Sequence, residues 1–132
     1  TFRFDAWLSI DTPDTDVYVS VHEITADGRS RLLTSDVKRA RYRNDLRREE
    51  LLRSAEPEKY SFDTFMWTAR RIPRGSRLRL VVAPGNSIYA QKNFNAAKPV
   101  SEQTLADARV ATVRLLHDAK HPSALFVPIA GQ

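Results

Sequence analysis

Cysteine is absent from the 132 residues. This excludes disulfides, thiolate metal sites and a cysteine nucleophile. It leaves the compartment open, because many secreted chains also do without cysteine. Glycine is scarce, at positions 28, 75, 85 and 131 only. No serine stands between two of these glycines in Gly-x-Ser-x-Gly spacing, so the chain has no nucleophile elbow of its own. No run approaches the ~20 apolar residues of a helical membrane span, and no membrane partner is expected. The sequence opens on Thr1 rather than methionine, without a basic n-region and apolar h-region. Because Thr1–Asp5 already reads as the inside of a strand, the chain is expected to be an excised fragment or a processed product.

What is present fits a folded domain. Hydrophobic residues make up 42% and charged residues 28%, both ordinary for a globular chain, and the length suits one domain over residues 1–132. The formal charge is +5, with arginine supplying most of the basic residues. Those arginines are spread from Arg3 to Arg114 among interleaved acids. A solvated, arginine-rich surface accounts for them better than a nucleic-acid footprint, and no nucleic-acid partner is expected.

Period-two alternation dominates. Phe2, Phe4, Ala6, Leu8 and Ile10 mark a first strand; Val17, Val19 and Val21 mark a second, with a bulge or strand end near Glu23. Asp27-Gly28 signals a hairpin, and Leu32-Leu33 begin a third strand. Val37–Arg43 reads as a fourth, with Arg39, Arg41 and Arg43 on one face. Asn44–Ser54 reads as a short helix around Leu46, Leu51 and Leu52, capped by Asn44 or Asp45. Tyr60–Thr68 reads as a strand apolar on both faces, Tyr60 and Phe62 on one, Phe65 and Trp67 on the other. Pro73-Arg74-Gly75 turns into a strand of Leu78, Leu80 and Val82. Residues 84–103 lack a period, and long aperiodic loops are often functional. Ser101 could cap a helix through Ala108; 110–116 and 124–129 complete about eight short strands. Short strands at this spacing predict an all-β sandwich with one or two short helices.

Four groups invite a chemical reading. His117, Asp118 and His121 could form a metal site or a base with its orienting acid, but the spacing falls in a turn that Pro122 fixes, and a backbone-satisfying role outweighs both. Asp11, Asp14 and Asp16 surround Pro13 and could hold Ca²⁺, yet they lack the EF-hand pattern; a solvated turn is the default. Arg39, Arg41 and Arg43 could grip a phosphate or carboxylate, though pairing with acids across the sheet is favoured. Trp7, Trp67, Tyr89 and Phe94 could form a sugar-stacking platform, as in a free-standing carbohydrate-binding module, but core or interface is favoured. No catalytic, cofactor-binding or metal-binding residue is assigned in this chain, and no cofactor is expected.

The order of motifs resembles a known family. It runs Asp11-Thr12-Pro13-Asp14-Thr15-Asp16, Asp27-Gly28, then Arg39-Ala40-Arg41-Tyr42-Arg43. It continues with Ile72-Pro73-Arg74-Gly75-Ser76-Arg77-Leu78-Arg79-Leu80, Asn86-Ser87 and Gln91-Lys92-Asn93-Phe94-Asn95. It closes with Asp107-Ala108-Arg109, His117-Asp118 and His121-Pro122-Ser123. Across residues 2–129 this series is similar to the C-terminal domain of the X-Pro dipeptidyl-peptidase and cocaine-esterase-like (CocE/NonD) serine hydrolases. Two positions depart from the pattern: Ser76 where the family often has histidine, and Ala96-Ala97 where glycine often follows the asparagines. The resemblance implies a jelly-roll β-sandwich of galactose-binding type. It also implies a parent whose N-terminal α/β-hydrolase domain carries a Ser-Asp-His triad and is this domain's partner, with no triad member in this chain. A homo-oligomer is left open. On this reading the doubly apolar strand puts Phe65 and Trp67 at the interdomain face, and the 84–103 loop reaches the catalytic domain.

Overall fold

The computed structural model describes residues 1–85 and 87–129, so Asn86 of the asparagine-rich segment and Gly131 lie outside it. Seven strands form two antiparallel sheets among the described residues. In the first sheet, β1 (Arg3–Ile10) is flanked by β4 (Glu58–Phe62) on one edge. Its other edge is shared by β6 (Val113–Leu116), opposite Trp7–Ile10, and β7 (Ala124–Phe126), opposite Arg3–Asp5. In the second sheet, β2 (Asp16–Ile24) lies between β3 (Ser30–Arg39) and β5 (Arg77–Pro84).

The alternation read from the sequence is what builds the core. Phe4, Ala6, Leu8 and Ile10 of β1 meet Val17, Val19 and Val21 of β2 in one buried cluster with Tyr60, Phe62 and Phe65. Phe4 and Phe62 stack across the β1–β4 pair at 6.0 Å. Burying a side chain of this kind contributes roughly 1.5–3 kcal/mol, so the two facing rows hold the sandwich together. The irregularity expected near Glu23 is real, and it sits between Val21 and His22, where the register against β3 skips Leu33. The Asp27-Gly28 turn is also as read: Thr25 N–H donates to Arg29 O at 2.9 Å, and Gly28 takes φ +85°.

Four expectations need correcting. Leu32-Leu33 and Val37–Arg43 belong to one strand, β3, which stops at Arg39 and gives way to a single 3-10 turn at Ala40–Tyr42. Arg39, Arg41 and Arg43 therefore do not share a strand face. The helix at 44–54 does not form: Glu50 N–H donates to Arg41 O and Leu52 N–H to Pro13 O, so these amides are spent outside the segment, and only Leu52 of its leucines is buried. The 60–68 strand ends at Phe62, because the Asp36 carboxylate takes the Thr64 N–H and hydroxyl at 2.9 and 2.7 Å and turns the chain. The helix from Ser101 is replaced by two 3-10 turns, Val100–Glu102 and Leu105–Asp107, the second capped by Thr104 and Asp107 rather than by Ser101.

Candidate functional site

The acidic turn and the arginine triplet, read separately from the sequence, come together at one end of the sandwich. Arg41 is fully buried and faces the equally buried Asp14. Its backbone N–H donates to Asp14 Oδ1 at 2.9 Å and its Nε to Oδ2 at 2.7 Å. Nη1 reaches Glu49 at 3.3 Å, and Nη2 donates to the carbonyls of Ala96 and Lys98 at 3.0 and 2.8 Å. Beside it, Arg39 grips Asp16 with two bonds at 2.7 and 3.0 Å. Asn93 Nδ2 bridges the two acids, at 2.9 Å from Asp14 and 3.0 Å from Asp16. The turn is thus not solvated at Asp14, which corrects the default reading, and two of its carboxylates are committed to arginines. Arg43 completes the series through Glu58 at 2.6 Å. The arginines do pair with acids, as favoured, though only Arg39–Asp16 is a cross-strand pair.

This centre fixes the long loop. Gln103 donates to the same two carbonyls as Arg41, at 3.2 and 2.9 Å, and its Oε1 accepts the Phe94 N–H at 2.7 Å. Asn95 takes φ +64°, a left-handed conformation that asparagine tolerates better than other side chains, and its amide donates to Arg109 O. The tight turn therefore falls on Asn95, and buried Ala96 needs no glycine. Ser76, the other departure, donates to buried Glu23 at 3.0 Å, beside Arg70 at 2.6 Å. The Arg70 hydrogen bond outweighs burial and holds the Glu23 carboxyl below its ordinary range.

The His117–Pro122 segment is a corner. Asp118 Oδ1 accepts the N–H groups of His121 and Lys120, both at 2.8 Å, and the His121 N–H, then the His121 ring Nδ1 at 3.2 Å, lower its pKa. His121 packs edge-on against Trp7 at 5.2 Å. Ser123 Oγ donates to Leu116 O at 2.6 Å and accepts the Trp7 N–H at 2.9 Å, tying the corner to β1. One contact had no sequence signal: Ser20 Oγ lies 2.9 Å from His22 Nε2. It arises because residues i and i+2 share a strand face, and the other ring nitrogen meets the Ser30 hydroxyl at 3.3 Å rather than a carboxylate. The four candidate sugar-stacking aromatics are not assembled. Trp7 is taken by His121, Phe94 lines a cleft between the sheets, and Trp67 and Tyr89 are exposed at separate points of the chain.

The surfaces of the two sheets differ. The outer face of the first is ionic: Asp5 lies between Lys59 at 2.9 Å and Arg3 at 3.7 Å, and Arg3 covers the Phe126 ring. The outer face of the second is neutral over its middle. Register places Tyr18 between Val37 and Ala83, and Ser20 between Ser35 and Val81. Gly85 crosses directly over Tyr18, so closely that a Cβ there would stand 2.4 Å from the ring. Beyond it, Ala90, Tyr18 and Val37 line one side of a hollow of about 370 Å³ whose other walls include Arg39, Arg43 and Asp63, while Ile88 and Tyr89 are 92% and 94% exposed. At the β5/β6 edge a larger cleft of about 780 Å³ opens between the sheets, lined by Val82, Val113, Leu115, Leu105 and Val110 among others.

Comparisons with known proteins agree with this architecture. The family profile described as the X-Pro dipeptidyl-peptidase C-terminal non-catalytic domain matches residues 2–126. An aminopeptidase from the marine sediment archaeon Thaumarchaeota archaeon superposes with a TM-score of 0.85 at 21% identity. An α-amino acid ester hydrolase superposes at 0.80 and 20% identity. Each alignment covers 93% of this chain and 22% of the other, so the chain spans about a fifth of those proteins. Comparison with curated protein sequences returns no match. With the profile running through both sheets, from the entry of β1 to the last residue of β7, the chain belongs to the family of X-Pro dipeptidyl-peptidase C-terminal non-catalytic domains.

Proposed function

We propose that residues 1–132 are the C-terminal domain of a larger serine hydrolase, and that this domain packs on an N-terminal α/β-hydrolase domain and walls its substrate cleft. The observation that carries the reading is the neutral middle of the second sheet's outer face, between the Asp16–Arg39 pair at one end and Arg77 and Arg79 at the other. Tyr18, Val37, Val81 and Ala83 form a surface without charge, and the exposed Ile88-Tyr89 tip stands at its border. A sheet face that meets only water alternates toward polar and charged residues, as the first sheet does around Asp5, Arg3 and Lys59. An interdomain face of ~600–1,500 Å² is the ordinary use for such a neutral surface. The loop that begins at Gly85 is then the element that reaches the catalytic domain, its base held by Arg41, Asn93 and Gln103.

The parent's substrate on this reading is an ester or amide of an amino acid or short peptide, X-Pro peptides included. Support comes from the names of the family and of the two solved relatives, which share that acyl class. The test is the parent enzyme with residues 1–132 removed, beside a Val37→Asp/Val81→Asp variant of the intact parent. The expected result is lower stability or lower kcat/KM for both. Unchanged unfolding and unchanged kinetics in both proteins would overturn the reading.

A further inference from the structure

The sandwich is closed at one edge and open at the other. Where β3 meets β4, the inward residues Thr34, Asp36, Tyr60 and Phe62 are buried. Where β5 faces β6, the inward rows are half uncovered. Leu78, Leu80 and Val82 lie opposite Glu23, Val21 and Val19, which solvent does not reach. Yet Leu78 is 39% exposed and the other two are only partly buried. On the first sheet, Val113 and Leu115 pair with the buried Ile10 and Leu8 and are 40% and 45% exposed. Among the described residues β5 pairs only with β2, and β6 only with β1, so each has a free edge; the 780 Å³ cleft lies against the Val82–Pro84 end of β5 and against Val113 and Leu115 of β6.

We infer that an added β-strand pairs with the free edge of β5, supplied by the parent polypeptide outside these 132 residues, with apolar side chains turned into the cleft and acidic ones opposite Arg77 and Arg79. The inference rests on the reading that such a parent exists. Three observations select this occupant. The free edge of β5 offers unpaired backbone N–H and C=O groups, which an extended strand pairs with and a helix does not. Arg77 and Arg79 point to the outer face, opposite Ile24 and His22, so a neighbouring strand would place its outward residues beside two guanidiniums. The matched hydrolases are several times longer than this domain, so polypeptide is available to supply the strand.

A second copy of the chain is disfavoured by charge. Pairing β5 with β5 would bring Arg77 and Arg79 of both copies into one sheet, in molecules of formal charge +5 each. An edge merely blunted by arginine is the remaining alternative, because natural edge strands carry charges for protection. It does not account for the uncovered apolar rows on both sheets.

Hydrogen exchange on the intact parent tests the inference. The β5 amides that face away from β2 should be protected to within about tenfold of the β2 amides. Exchange of those amides at the rate of the irregular 69–72 segment would overturn the proposal. An Arg77→Glu/Arg79→Glu variant of the parent should raise β5 exchange at least tenfold and leave β2 unchanged; no change would overturn the acidic pairing. The two readings fail separately. Stability and turnover that survive removal of residues 1–132, together with protected β5 amides in the intact parent, would remove the cleft-wall function and keep the added strand. A parent that needs the domain but leaves β5 unprotected would do the reverse.

Discussion

The carboxylate of Asp14 and the guanidinium of Arg41 meet at 2.7 Å with 0% and 1% of their side chains open to solvent. The pair joins the β1–β2 turn to the turn after β3, and Arg41 extends the link to the carbonyls at 96 and 98. Desolvating two charges is costly, and here the cost is offset by filling nearly every donor of the guanidinium.

Removing one partner should therefore be severe. Arg41→Ala is expected to cost about 3–5 kcal/mol, since it leaves the buried Asp14 carboxylate without its counter-charge and the carbonyls of Ala96 and Lys98 with Gln103 alone. Urea unfolding gives the number. Hydrogen exchange should show the 93–98 segment loosening before the sheets do, and a loss below about 1 kcal/mol would show that Asp14 finds water or another cation instead.

Gly85 and Tyr18 should behave as a coupled pair. Gly85→Ala places a methyl within the Tyr18 ring's volume and is expected to cost about 1–3 kcal/mol through overpacking. Tyr18→Ala in the same chain should relieve part of that cost. A double-mutant cycle with a coupling energy under about 0.5 kcal/mol would rule out the contact.

Phe65 and Trp67 share parity but not fate. Phe65 is buried against Phe2 at 6.3 Å, and Trp67 is 89% exposed. Phe65→Ala should cost about 3–5 kcal/mol. Trp67→Ala should stay within about 0.5 kcal/mol of the wild type in thermal unfolding.

Acid should release the loop base in a defined window. The hydrogen bond from Lys98, and then the Thr104 N–H, hold the Asp107 carboxyl at about 2. Unfolded, such a group titrates near ~3.9. A pKa depressed on folding contributes stability that is complete above the unfolded value and lost as pH falls through the folded one. The difference in stability between wild type and Asp107→Asn should thus be constant above about pH 4–5 and shrink toward pH 2. A difference independent of pH across that range would remove the assignment.

The strands that were legible are those with one buried face. In β2 the alternation of Val17–Val21 is the burial pattern itself; in β1 Phe4, Ala6, Leu8 and Ile10 all reach the core although Asp5 and Ser9 are buried too; and in β5 the alternation of Leu78–Val82 marks the strand although its apolar row is half uncovered. The segments that misled were those whose backbone partners lie far away. Leu46, Leu51 and Leu52 look helical by spacing, yet Leu52 N–H bonds to Pro13, a partner that no local period reveals. Tyr60–Thr68 keeps a strand's composition past Phe62, but Asp36, on the other sheet, ends it. The acid cluster and the arginine cluster were each visible, and each suggested a ligand. Two of each neutralise one another: Asp14 with Arg41 and Asp16 with Arg39 form one centre, while Asp11 accepts from Thr112 N–H and Arg43 pairs with Glu58. The signal available was that complementarity of sign, not the spacing within either half.

The Thr25–Arg29 turn closes on its own hydrogen bonds, and an atom added at Gly28 would meet nothing within 4 Å. It is therefore the place to attach a reporter. A fluorophore or short epitope inserted beside Gly28 would ride on the β2–β3 hairpin, at the far end of β2 from Tyr18 and next to the entry of β5, and so could report on assembly at that edge.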